Sequence, residues 1–71
     1  MTTQLTNEEK ASIVNQHKRN VENQKYNLEL SIMQENAVTV PNEDLISSLN
    51  SQKADLDKKI AALDAELVTL S

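Results

Sequence analysis

From Ile46 to Leu70 the side chains Ile46, Leu49, Lys53, Leu56, Ile60, Leu63, Leu67 and Leu70 follow one another at alternating steps of three and four residues. All but Lys53 are apolar. A strand repeats every two residues and cannot present this series on one face; an α-helix puts all of it on one stripe. In heptad terms Ile46, Lys53, Ile60 and Leu67 stand at a, and Leu49, Leu56, Leu63 and Leu70 at d. Ile at a with Leu at d favours two-stranded packing against a parallel partner, and a lysine at a selects register at some cost in stability. Such a stripe has to be covered by something.

The first half of the chain offers a weaker copy. Val14, Val21 and Leu28 recur every seven residues and read as d, with Ala11, Lys18, Lys25 and Ile32 at a. Past Tyr26 the apolar face widens to Leu28, Leu30, Ile32 and Met33, so this helix should pack well near its end and thinly in its middle. Its start is marked by Thr6-Asn7-Glu8-Glu9, a capping box with acids at the positive end of the helix dipole. Leu5 would face Lys10, which leaves the hydrophobic staple incomplete.

Helix one is expected over about residues 7 to 36 and helix two over about 43 to 70, with a loop at 37 to 42. The loop reads AVTVPN. Pro41 pushes Val40 out of the helical region, and it suits the first helical position of the next segment, with Asn42 as the rival cap. Glu43 and Asp44 then supply an acidic first turn. The chain has no glycine, so the turn must be made without an easy left-handed residue.

Two helices of about 45 Å each joined by a short loop argue for an antiparallel hairpin; the rival is a bent rod with each helix in a separate bundle. The fold class is therefore all-α, a single hairpin domain with coiled-coil packing. Leu30, Met33, Leu45 and Val68 lie off the seam and suggest a second contact face, hence assembly into a larger helical bundle. Size points the same way. A chain of 71 residues without cysteine has neither a large core nor disulfides, and self-association or docking on another protein is the remaining support.

Charge and composition remove several function classes. The formal net charge is −4, which argues against a general nucleic-acid binder. The distribution is uneven: Lys10, Lys18, Arg19 and Lys25 face Glu22 alone between residues 10 and 25, whereas residues 26 to 71 carry three lysines and eight acids. A weakly basic first helix and an acidic second one attract each other side by side. A basic region before a leucine zipper invites comparison with bZIP proteins, but Pro41 separates the two parts and the basic part has one arginine. With one histidine and no cysteine, and no acid four residues from His17, no metal site is expected. Asp55 and Asp57 resemble the start of a calcium loop, yet no glycine follows them. Catalysis lacks a pocket and a base held beside a nucleophile. No cofactor is expected. No apolar run reaches the ~18 residues of a membrane span, and the first ten residues lack the basic and apolar regions of a signal peptide. The expected setting is cytoplasmic.

The stretch QHKRNVENQKYN, residues 16 to 27, holds the only histidine, arginine and aromatic of the chain. It reads in two ways. His17, Lys18, Arg19, Lys25 and Tyr26 could contact a partner or an anionic nucleotide-type ligand where subunits meet, with Tyr26 stacking on a base and a lysine on phosphate. Otherwise they form a weak seam and a solvated face.

KYNLELSIMQENAVTVPN, residues 25 to 42, followed by a helix containing AALDAEL, resembles short uncharacterised proteins of marine cyanobacterial phages. The resemblance implies a viral origin, with the cytoplasm of an infected bacterium or the virion as the setting, and transfers no functional residue. Phage proteins that sequester cyclic nucleotides also use short helical hairpins; the similarity is one of shape, without their motifs. The reading is thus a non-enzymatic interaction protein, self-associating and binding a protein partner as an assembly factor, a structural subunit or an inhibitor of a host protein. The alternative is a sequestering protein for an anionic nucleotide-type ligand. Val14, Val21, Leu28, Ile32, Ile46, Leu49, Leu56, Ile60, Leu63, Leu67 and Leu70 should form the packing seam.

Overall fold

A computed structural model describes residues 4–71. It contains two helices, α1 from Asn7–Asn36 and α2 from Glu43–Leu70, packed side by side as an antiparallel hairpin. The bent-rod alternative is thereby removed. The molecule measures 61 × 18 × 16 Å.

Local chemistry explains where each helix starts and stops. Thr6 is the N-cap of α1: its Oγ1 accepts from the Glu9 N–H at 3.1 Å, while the Thr6 N–H donates to Glu9 Oε1 at 3.0 Å. That is the reciprocal capping box expected from the sequence. At the other end the Ala37 N–H donates to the Gln34 carbonyl at 3.2 Å, a three-residue closure that tightens the last turn. Positive φ occurs at none of the described residues, so the connection is built entirely from conformations open to non-glycine residues.

Pro41 does not take the first helical position of α2. Asn42 is the N-cap, its Oδ1 accepting from the Leu45 N–H at 3.1 Å, and the helix begins at Glu43. The reason is that an asparagine cap satisfies an orphan N–H with its own side chain, whereas proline at the first position only avoids adding one. Pro41 sits one step earlier. The Asn42 N–H is held by Glu35 Oε1 at 3.0 Å, which ties the start of α2 back to the last turns of α1.

The seam follows the heptads. On α2 the eight seam positions from Ile46 to Leu70 are at least half-buried, and Leu56, at 7% exposure, is the one buried residue among those described. On α1 Ala11, Val14, Lys18, Val21, Lys25, Leu28 and Ile32 are half-buried in the same rhythm. The four off-seam residues do not make one face. Met33 and Val68 each follow an a residue by one position and lie on one side of the hairpin; Leu45 precedes an a residue and lies on the other; Leu30 points away from the seam and is half-buried.

Candidate functional site

Three lysines occupy a positions of the seam, and each has a defined partner. Lys18 Nζ lies 2.7 Å from Asp64 Oδ1, Lys25 Nζ 2.6 Å from Asp57 Oδ1, and Lys53 Nζ 3.6 Å from Glu29 Oε1. Moving from residue 18 to 25 to 29 along α1 is matched by equal steps back from 64 to 57 to 53 along α2. One antiparallel register therefore generates all three pairs. Each acid stands one position after a d leucine: Glu29 after Leu28, Asp57 after Leu56, Asp64 after Leu63. So every lysine leaves the seam toward the same side. Its stem stays on the apolar stripe while its ammonium reaches water and the acid across the helix boundary.

The electrostatics agree with the geometry. The hydrogen bond to Asp64 raises the pKa of Lys18 above the ordinary lysine value, and the hydrogen bond to Asp57 does the same for Lys25. These pairs are half-exposed, a setting in which ion pairs add little stability but penalise any other alignment.

The hairpin consequently has two different flanks. On the ion-pair flank a groove of about 260 Å³ is lined by Lys18, Glu22, Lys25, Tyr26, Glu29 and Asp64, with Ile60 as its apolar floor, and a more polar groove of about 610 Å³ lies nearer the loop over Ile46, lined by Asn36, Glu43, Ser47, Asn50 and Ala54. On the opposite flank no seam lysine covers the stripe. Two grooves of about 570 and 480 Å³ meet there at Lys59. Their floor is made of d residues, Val14, Val21, Leu28, Leu56 and Leu63, and their walls of His17, Gln24, Gln52, Asp55 and Glu66.

The five residues of the 16 to 27 stretch do not converge. Lys18, Lys25 and Tyr26 share the ion-pair groove, His17 belongs to the open trough, and Arg19 is an exposed residue lining neither. Tyr26 is 59% exposed. Sequence reasoning passed over Glu29, Asp57 and Asp64 as partners of the seam lysines, although an acid directly after a seam leucine is a visible signal. It weighed Asp55 only as the start of a calcium loop and passed over Lys59 and the trough the two border, because a trough depends on which way the lysines lean. Among the described residues no cluster of His, Asp or Glu is arranged to hold a metal ion, and no helix is long and apolar enough to cross a membrane.

No protein-family profile matches the chain, and neither a curated protein nor a solved structure matches it.

Proposed function

We propose that the chain is a non-enzymatic helical interaction protein that self-associates and presents a flank of its hairpin to protein surfaces. The observation that carries this reading is the amount of surface left over. The molecule exposes 5532 Å², whereas a compact monomer of 7.9 kDa exposes roughly 4,400 Å². The excess is on the order of 1,000 Å², somewhat above the ~800 Å² that each partner contributes to a standard protein interface. An apolar trough running beside the seam gives that excess a place to be covered. The resemblance of residues 25 to 42 to phage proteins adds a viral setting, in which an assembly factor, a virion subunit or an inhibitor of a host protein would each act through such a surface.

The test is the concentration dependence of thermal unfolding. Association that stabilises the fold raises the melting midpoint with protein concentration. A midpoint that stays fixed across a hundredfold range contradicts self-association.

A second reading has one observation in its favour: exposed Tyr26 stands beside two lysines at a groove, as a nucleotide-type anion would require. Both ammoniums are already engaged by Asp64 and Asp57, and the groove is smaller than the ~300 Å³ at which ligand pockets begin. The protein-interaction reading is therefore the stronger of the two.

A further inference from the structure

The lean of the three seam lysines toward one side leaves the other side as a trough of two adjoining grooves with an apolar floor and polar walls, and the residues along that trough have a self-complementary order. Lys10, His17 and Gln24 recur every seven residues on α1, as do Leu45, Gln52, Lys59 and Glu66 on α2. Gln24, Gln52, Lys59, His17 and Glu66 line the trough, so Lys10 and Leu45 lie on the same flank. Ile13 belongs there by the same spacing, since Asn27 lines the trough and Asn20 lies between them. Ile13 and Leu45 are 41% and 42% exposed, large apolar residues near opposite ends of the flank.

The register fixed by the ion pairs puts each α2 residue level with one on α1. Leu45 falls level with Ala37, Asp55 with Asn27, and Lys59 with Asn23. The point midway between Ile13 and the level of Leu45 is Lys25. The point midway between the levels of Asp55 and Lys59 is Lys25 again. Two pairs on the open flank, one of opposite charge and one apolar, thus share one centre.

We propose that the open flank is the interface between two copies of this chain, packed antiparallel about a two-fold axis at the level of Lys25. An isologous interface requires that residue i meet j while j meets i. Here Lys59 of each copy meets Asp55 of the other, and Ile13 of one copy and Leu45 of the other come to the same level at each end of the interface. Lys59 has no ion pair among the described residues, and the pair that Asp55 makes, with Lys58 at 3.9 Å, is exposed and long. The ion-pair flank is the poorer candidate, because covering it would strip water from three charge pairs. This assignment rests on the self-association reading above and adds the face, the direction and the contacts.

The chain lacks cysteine, so single engineered cysteines report without background. Gln24 lies beside the proposed axis on the open flank, and Arg19 lies on the other flank. Gln24→Cys is expected to form a disulfide-linked dimer on mild oxidation, and Arg19→Cys is not. In sedimentation, Lys59→Glu is expected to halve the mass of the native particle with helical circular dichroism retained; Asp55→Lys added to it should restore both the dimer and the Gln24→Cys cross-link. A monomeric native chain overturns this inference and the self-association reading together. An oligomer that ignores Lys59→Glu and cross-links through Arg19→Cys overturns the face alone, and leaves the trough to another protein.

Discussion

At Leu56 the seam is most tightly closed, with 7% of the residue exposed, and no other described residue is buried. A hairpin with one buried side chain among its described residues depends heavily on it. Truncating a buried leucine to alanine costs about 2–5 kcal/mol, an amount comparable with the whole stability of a small domain. Leu56→Ala should therefore lower the melting midpoint sharply, and Leu56→Asp or Leu63→Asp should abolish helical circular dichroism. A variant Leu56→Asp that kept its helicity and its melt would contradict the seam. These positions were legible because a period of 3.5 needs no knowledge of the partner helix. The fate of Lys18 and Lys25 was less so: a lysine at an a position says only that something accommodates it. The accommodating acids, Asp64 and Asp57, are distant in sequence and become neighbours only once the register is known. Pro41 shows a second limit. Proline and Asn42 both carry helix-start signals one residue apart, and only the hydrogen bond from the Leu45 N–H decides between them.

Between the two helices, the lysine–acid pairs act as an alignment code. A slip of one heptad would place at least one lysine opposite a residue that cannot pair with it, and a parallel self-pairing of α2 would set Lys53 against Lys53. Reversing one charge, Lys25→Glu, should set it against Asp57 and lower the melting midpoint; adding Asp57→Lys should recover much of the loss. Equal melts for the single and double variants would show that the pair does not set the alignment. Alkaline pH tests the same pairs. The folded state raises the pKa of Lys18 and Lys25, so their stabilising effect is fully present below the unfolded lysine value of about 10.4 and is lost as pH climbs through the higher folded values. Thermal midpoints should hold level to about pH 9 and fall beyond it. In a Lys18→Gln, Lys25→Gln variant the alkaline fall should be smaller; an identical fall would remove these lysines from the account. The acidic end works in the opposite sense. Glu9 is held below the usual carboxylate range by the Thr6 backbone N–H, so the capping box contributes above about pH 4.3 and is lost as pH drops through the lower folded value.

As a whole the molecule is a rod, with a radius of gyration of 16.9 Å where a compact chain of 71 residues would have roughly 11 Å. A rod of two helices can bury one stripe of each and no more, and everything proposed about function follows from the surface that remains. The stretch from residue 16 to 27 takes its meaning from this scale. It supplies two seam lysines to one flank and His17 and Gln24 to the other, so it is the segment that makes the two flanks different. Hairpin architecture and the helix boundaries could be read from the sequence; the difference between the flanks could not, because it arises from three side chains leaning the same way. The central claim is that the open surface is covered by protein and not by a small ligand. Native mass spectrometry of the untagged protein, freshly purified from cells, measures that directly. The account predicts a closed assembly whose mass is a whole multiple of the chain, or a complex with another polypeptide, with no added small molecule. An assembly carrying a nucleotide-sized increment at each site, or a lone monomer, would contradict it.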